Sequence, residues 1–169
     1  MKVLRIHAPG IEPGLTDAIL SAVDAFNRSV DIRLRFLSIE IDEDVLNVDS
    51  PEQAAEAVAL AVQDQRPMLC VLLGQGDTAL AAASAAVRAG AGLVRVGSGR
   101  RDGPAADSAR ALDRLASVCL VHDDQALAQL EEEGLGARAR DIGPATQSQV
   151  GERVVREISR ARRTMQGDR

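Results

Sequence analysis

Aromatic side chains are almost absent from this chain of 169 residues. Phe26 and Phe36 are the only two, and the sequence has neither tryptophan nor tyrosine. Stacking of bases on aromatic rings, the usual way to hold single-stranded nucleic acid, is therefore excluded. The net charge of −5 would also repel a phosphate backbone. We expect no nucleic-acid partner.

Cysteine, histidine and long apolar runs are scarce as well. Cys70 and Cys119 lie in apolar segments, which predicts reduced thiols in the core. The two cysteines and two histidines match no zinc motif, so we expect no metal site. No apolar run approaches the roughly 20 residues that span a bilayer, and the N-terminus lacks the apolar region of a signal peptide. These absences predict a cytoplasmic protein without a membrane span.

Short β-branched segments alternate with longer amphipathic segments along the chain. The pattern predicts strands at 2–8, 31–38, 68–73, 92–96, 118–121 and 139–142. It predicts helices at 13–27, 51–65, 77–89, 104–116, 123–134 and 146–165. Such alternation is typical of a doubly wound, Rossmann-like α/β domain, here with a mostly parallel six-stranded sheet. We expect this domain over 1–145, with a C-terminal amphipathic helix in 146–169 packed on it.

The segment GQGDTA at 74–79 joins the apolar third strand to an alanine-rich helix. Its spacing satisfies the G-x-G-x-x-A fingerprint of dinucleotide binding, but that fingerprint normally follows the first strand. It also requires an acid about 20 residues later, where this sequence has Gly97. We therefore expect no NAD and no other cofactor. Asp77 has two interpretations, a helix N-cap or a carboxylate at the ligand-binding edge of the sheet.

Several blocks between 68 and about 146 follow one family pattern without gaps between them. The family reads GDTT, then VEAGLRT, PEE-x-NR, L-A-D, LxxEG and a final G-N-T turn. The matching residues here are Gly76, Asp77, Thr78, Val96, Gly99, Arg101, Pro104, Asp113, Leu115, Ala116, Gly134 and Gly143. In these blocks the chain resembles the N-terminal domain of the non-hydrolysing UDP-N-acetylglucosamine 2-epimerases. The likeness is weaker before residue 67, where Glu12 aligns with the acid of a G-T-R-P-E turn.

The resemblance implies one half of a two-domain GT-B-type fold that binds a nucleotide sugar between its halves. The family inverts C2 of the sugar through loss and re-addition of UDP, which needs acid/base groups around the ring. Family carboxylates are replaced here by Gly97, Ala105 and Ala106, and the second domain has no counterpart. Because glycine and alanine cannot exchange a proton, we expect no epimerase activity from this chain alone.

The resemblance also implies a set of site residues. Asp77 stands where the family has a functional carboxylate, and the family pattern adds Glu12, Gly76, Thr78, Gly99 and Arg101 as expected ligand contacts. Arg100, in the same loop, and His122, at the end of the fifth strand, are expected contacts because they lie at the ligand-binding edge of the sheet. The basic, glycine-containing loop at 99–101 suits a phosphate. Its alternative is a surface loop whose arginines pair with Asp102 and Asp107. For His122 the alternative is an exposed side chain near a helix cap, and the glutamates at 131–133 are expected to be solvated.

Three functions remain open from the sequence. The first is a degenerate, non-catalytic or regulatory subunit that binds a UDP-sugar and associates with itself or with a partner chain. The second is an active subunit that uses Asp77 as acid/base while a partner supplies the second domain. The third is a protein-interaction module without ligand. Loss of several carboxylates favours the first or third, whereas retention of 76–78 and 99–101 favours the first or second.

Overall fold

A computed structural model describes residues 2–7, 14–29, 35–40, 50–144 and 149–167. The strands within these ranges are β1 Lys2–His7, β2 Arg35–Glu40, β3 Leu69–Leu73, β4 Gly92–Val96, β5 Val118–Val121 and β6 Ala139–Asp141. The helices are α1 Leu15–Ser29, α2 Pro51–Gln65, α3 Asp77–Arg88, α4 Ala106–Leu115, α5 Asp124–Glu132 and α6 Val150–Gly167. One turn of 3-10 helix, Gly136–Arg138, precedes β6.

The strands form one sheet in the order β2-β1-β3-β4-β5-β6, and every pairing among the described residues is parallel. The predicted fold class is thus confirmed. The second strand was predicted at 31–38 but is described at 35–40, with 31–34 outside the described residues. In the ladder with β1, Lys2 lies opposite Arg35 and His7 opposite Glu40. Within the described residues the strand extends two residues past its predicted end, because its pairing with β1 continues to Glu40.

The helices cover the sheet on both faces. Buried residues of α2, α3, α4 and α5 pack together on one face, and those of α1 and α6 pack on the other. The chain winds from β1 outward to β2, then returns past β1 and continues from β3 to β6. This reversal places a topological switch point between β1 and β3, where ligands bind in open α/β sheets.

The core is aliphatic, as the shortage of aromatics predicts. Every residue of β3 is buried, and buried alanines of α3 face the sheet and α2. The cysteines Cys70 and Cys119 are free and buried, in agreement with the sequence. Burial raises the pKa of the Cys70 thiol to about 12 and is the main cause that raises the pKa of Cys119 to about 11. Both thiols are therefore protonated and unreactive at neutral pH.

Helix α6 packs along α1 and buries one apolar side, which includes Val150, Val154 and Ile158. The approach is closest at Gly151, where an added Cβ would lie 2.2 Å from the carbonyl oxygen of Ala18. The division of the chain at 145 stays a prediction. Within the described ranges no helix, α6 included, is long and apolar enough to cross a membrane.

Candidate functional site

Loops that follow parallel strands meet at one edge of the sheet, and this edge carries the predicted site. It comprises 74–76 after β3, 97–102 after β4 and 122–123 after β5. The turn after β3 borders the switch point between β1 and β3, so it lies where this topology binds ligands. Glu12 belongs to the segment after β1 and lies outside the described residues.

Asp77 is the first residue of α3 and does not cap it. Gly76 is the N-cap, and no side chain caps this helix. The Asp77 carboxylate is exposed, and no hydrogen bond or ion pair joins it to any residue that the structure describes. The capping interpretation is therefore wrong. Thr78, the next residue, is half-buried. The Asp77 carboxylate is thus exposed and unpaired among the described residues, beside the switch point between β1 and β3.

Gly99 is buried against the first turn of α5. A Cβ on Gly99 would lie 2.3 Å from the carbonyl oxygen of Ala126, and its φ of +85° also favours glycine. Its N–H donates to Oδ2 of Asp113 at 3.0 Å. The space left by the missing side chain of Gly99 is thus occupied by the backbone of α5. The Gly99 N–H is likewise bound to Asp113 of the same chain.

Arg101 forms ion pairs with carboxylates of its own chain. Its Nε and Nη2 donate to the two oxygens of Glu133 at 2.9 and 2.8 Å, and its Nη1 donates to Oδ2 of Asp113 at 2.8 Å. For Arg101 the alternative partners Asp102 and Asp107 were wrong, because Arg101 reaches Asp113 of α4 and Glu133 at the end of α5 instead. Arg101 therefore holds the loop after β4 in place, and direct contact with a ligand stays a prediction.

Asp113 is the centre of a buried polar network. Its side chain is fully buried on α4, and Oδ1 pairs with Arg95 of β4, which is only 1% exposed. Arg95 also donates to the carbonyl oxygen of Ala109 at 2.9 Å. The other oxygen, Oδ2, accepts from Gly99 and Arg101. One carboxylate thus joins β4, the loop after it and α4.

The network of Arg95 and Asp113 was missed in the sequence, although a signal existed. Arg95 interrupts an otherwise apolar strand, and Asp113 occupies an apolar-facing position of α4. Buried charges are rare unless they are paired. Two opposite charges in adjacent elements of a βα unit could therefore have been proposed as partners.

Glu133 ends α5 and is mostly buried, contrary to the solvated face expected for 131–133. It accepts from Arg101, from Arg110 at 3.3 Å and from Gln129 at 3.1 Å. The hydrogen bonds from Arg101 are the main cause that lowers the pKa of Glu133 to about 2. Its neighbours Glu131 and Glu132 are exposed as expected.

The lowered pKa of Glu133 predicts a pH-dependent stability contribution. The folded carboxyl titrates at a pKa of about 2, below its ordinary value of 4.5. The contribution is therefore fully present above about pH 4.5 and is lost as the pH falls toward 2. Glu133→Gln should lower the free energy of unfolding by about 2 kcal/mol at pH 7, and by much less at pH 2.5.

Urea unfolding followed by circular dichroism at both pH values checks this prediction. Glu132→Gln, on the exposed neighbour, should change the free energy of unfolding little at either pH. An equal loss for Glu133→Gln at pH 7 and pH 2.5 would contradict a role for the ionised carboxylate.

His122 is buried, with 5% of its surface exposed, so the exposed interpretation is wrong. Its Nδ1 lies 2.9 Å from the carbonyl oxygen of Gly143, which requires a proton on Nδ1. The other ring nitrogen, Nε2, is buried without a hydrogen-bond partner. His122 thus links β5 to the loop after β6. Its neighbour Asp123 caps α5 by accepting the N–H of Ala126 at 2.8 Å.

A polar cleft of about 280 Å³ lies between the loop after β4 and the start of α5. Its charged lining residues are Arg100, Arg101, Asp102 and Asp123. Arg100 is 46% exposed, and its Nη2 lies 3.9 Å from Asp123. The lining therefore carries both signs of charge. Among the described residues, no three His, Cys, Asp or Glu side chains are grouped to hold a metal ion.

Comparison with known proteins identifies the fold. No protein-family model matches the sequence, and no curated protein is significantly similar to it. Solved structures do match. UDP-GlcNAc 2-epimerase from Methanocaldococcus jannaschii is 15% identical with a TM-score of 0.67, and the match covers 90% of this chain and 48% of that one. The fold resembles one half of a UDP-GlcNAc 2-epimerase.

Two further epimerase structures agree. The enzyme from Neisseria meningitidis bound to UDP-GlcNAc is 15% identical with a TM-score of 0.68, over 98% of this chain and 52% of that one. The enzyme from Rickettsia bellii is 19% identical with a TM-score of 0.64, over 94% and 48%. The chain thus spans about half the length of these epimerases. At the level of the fold, the resemblance seen in the sequence is confirmed.

The positions that the sequence resemblance aligns with other carboxylates of the epimerase family lie at the same edge of the sheet. Gly97 follows β4 with a φ of +78°, and nothing lies within 4 Å of a Cβ added to it. Ala105 is the N-cap of α4, and Ala106 is its first residue. A carboxylate at any of these three positions would flank the loop after β4. Gly97, Ala105 and Ala106 have no ionisable side chain.

Proposed function

We propose that this chain is a nucleotide-sugar-binding half-domain of epimerase type, without epimerase activity of its own. It acts as a non-catalytic or regulatory subunit, in association with itself or with a partner chain. The ligand class is a UDP-sugar, which epimerases of the same fold hold in their solved complexes. The likeness in fold makes this proposal reasonable, and the arrangement around Asp77 carries it.

The free carboxylate of Asp77 is the observation that supports ligand binding. It lies exposed beside the switch point and has no structural partner in the described residues. An ionised carboxylate there accepts hydrogen bonds from sugar hydroxyls, which are worth about 1.5–3 kcal/mol each when one partner is charged. The glycines before α3 allow a ligand to approach the backbone closely.

The loss of the carboxylates that the resemblance places after β4 supports the non-catalytic part of the proposal. Loss and re-addition of a leaving group with inversion at C2 needs acid/base groups on more than one side of the sugar. Gly97, Ala105 and Ala106 supply none, and Asp113 and Glu133 are held by arginines. Of the positions that the resemblance assigns to acid/base groups within the described residues, only Asp77 keeps a carboxylate, so most of the proton transfers lack their expected residue.

A second function is favoured by the same free carboxylate. If a partner chain supplied the missing half and its acid/base groups, Asp77 would be positioned to act with them as the acid/base residue of an active subunit. In a protein-interaction module without ligand, by contrast, the Asp77 carboxylate would contribute only its negative charge at the N-terminus of α3. The two ligand-binding functions differ only in whether turnover is seen with the partner present.

Asp77→Asn tests the binding site. We expect the variant to raise the Kd for UDP-N-acetylglucosamine about tenfold, since it loses a charged hydrogen-bond acceptor. We expect the melting temperature to change little, because the carboxylate has no partner in the folded chain. Isothermal titration calorimetry measures the Kd, and circular dichroism measures the melting temperature.

Asp124→Asn is the matched control. Asp124 is also exposed and lies in the first turn of its helix, α5, so the charge change and its effect on the helix dipole are the same. The control should leave the Kd unchanged. Equal affinity for wild type and Asp77→Asn would rule out Asp77 as a contact, and no heat with any UDP-sugar would favour the interaction module.

A further inference from the structure

Helix α2 presents an unusual exposed stripe. Leu60 is 59% exposed and is the large hydrophobic side chain that stands out to solvent among the described residues. Glu56 and Asp64 lie four residues before and after it, so the three share one face of the helix. All three are exposed, and so is Arg66 at the C-cap. The stripe is an apolar side chain between two carboxylates, followed by a positive charge.

A groove on the opposite face of the sheet has complementary chemistry. It lies between α1 and α6 and has a volume of about 470 Å³. Its apolar lining comes from Ala22, Ala25 and Val155, and its charged lining comes from Glu152, Arg156 and Arg163. Arg156 and Arg163 are exposed, and no ion pair involves them in the described residues. The groove thus offers an apolar surface between two arginines.

The spacing of the charges also matches. At 1.5 Å per residue, Glu56 and Asp64 are about 12 Å apart along α2, and Arg156 and Arg163 are about 10.5 Å apart along α6. An antiparallel approach places Asp64 near Arg156 and Glu56 near Arg163. It also brings Arg66 toward Glu152.

The reverse orientation and the contact of two α2 helices are both less favourable. A parallel approach would bring Glu52, one turn before Glu56, toward Glu152. Antiparallel packing of two α2 helices about Leu60 would place Glu56 of each copy against Asp64 of the other. Both arrangements oppose like charges, which is destabilising.

We propose that α2 of one copy of this chain docks antiparallel into the α1–α6 groove of a second copy, with Leu60 between Ala22, Ala25 and Val155. The two surfaces lie on opposite faces of the sheet, so the contact is heterologous and leads to rings or open chains of copies. Neither surface includes the edge that carries Asp77. The proposal therefore stands or falls independently of nucleotide-sugar binding.

Sedimentation equilibrium over a concentration series tests the interface. We expect the average mass of the wild-type chain to rise with concentration above that of one copy, 17.9 kDa. The association should weaken in high salt, because the ion pairs lie at the surface. Leu60→Asp should weaken it at least about tenfold, as expected for a central apolar anchor. Ala128→Asp, at an exposed position of α5, should not.

A charge exchange tests the orientation. Glu56→Arg and Arg163→Glu should each weaken association, and an equimolar mixture of the two variants should restore it. Arg114→Glu, an equal charge change on an exposed residue of α4, should leave association unchanged. Circular dichroism melts confirm that each variant is folded. A wild-type chain that stays monomeric, a dimer insensitive to Arg163→Glu, or a mixture that does not recover would overturn the proposal.

Discussion

The Asp113→Asn variant is expected to lose about 3–5 kcal/mol of its free energy of unfolding. Asp113 is fully buried and is the carboxylate partner of Arg95, which is itself buried. Asparagine keeps the shape but removes the charge, so the Arg95 guanidinium is left in the core without compensation. Gly99 and Arg101 lose part of their acceptor in the same step. The loss is therefore larger than that of a single hydrogen bond.

Urea unfolding followed by far-ultraviolet circular dichroism measures this loss, because the chain has no tryptophan for fluorescence. Asp107→Asn is the matched control on the same helix. Asp107 is fully exposed and pairs with Arg110 only at 3.6 Å, so Asp107→Asn should change the free energy of unfolding little. If both variants were equally stable, the buried network would not hold β4 to α4.

Gly99→Ala is expected to lower the free energy of unfolding by about 2–5 kcal/mol, and two separate costs contribute to this loss. The positive φ of +85° costs an L-residue about 1–2 kcal/mol. In addition, the Cβ would lie 2.3 Å from the carbonyl oxygen of Ala126, and backbone cannot yield as a flexible side chain does. Displacing the first turn of α5 adds about 1–3 kcal/mol, the usual cost of overpacking.

Gly97→Ala separates the two causes of this loss. Gly97 has a φ of +78°, close to that of Gly99, but nothing lies within 4 Å of an added Cβ. We expect it to lose only the conformational part, about 1–2 kcal/mol. Unfolding experiments on the two variants give the steric part by difference. An equal loss of free energy of unfolding in both variants would mean that α5 does not sterically exclude a Cβ at position 99.

The path of the chain could be predicted from local patterns. The limits of α2, β4 and β5 agree with the prediction residue by residue. Proline at the start of α2, a serine cap before it and compact apolar strands are signals contained within a few residues. The edge strand β2 ends two residues later than predicted, because its end depends on pairing with β1, which lies about 30 residues earlier.

The site was less predictable because its contacts join distant residues. Arg101 and Glu133 are 32 residues apart, and His122 and Gly143 are 21 apart. Nothing in the sequence around Glu133 distinguishes it from the exposed glutamates beside it. Its burial follows from where α5 packs against the loop after β4. The same applies to His122, which stands beside two acids in the sequence but points to a carbonyl of the next loop.

The structure changes the meaning of the motif residues shared with the epimerases. Gly99 and Arg101 match the family pattern, yet both are bound to Asp113 and neighbouring elements of the chain. The fold alone therefore explains why Gly99 and Arg101 are present. Their match to the family pattern supports a ligand site less strongly than the sequence suggested. Asp77 matches the pattern and has no hydrogen-bond or ion-pair partner among the described residues, so its contribution to the fold is limited to its charge at the N-terminus of α3. The support for a ligand site now depends mainly on Asp77 and on its place beside the switch point.

Proton NMR of UDP-N-acetylglucosamine with the purified chain tests the central claim most directly. Saturation-transfer difference spectra report binding, and the one-dimensional spectrum over hours reports conversion to the C2 epimer. The account predicts saturation transfer to the uridine and sugar protons, reduced by Asp77→Asn, with no signals from the epimer. Absence of transfer would contradict nucleotide-sugar binding, and appearance of the epimer with this chain alone would contradict the loss of catalysis.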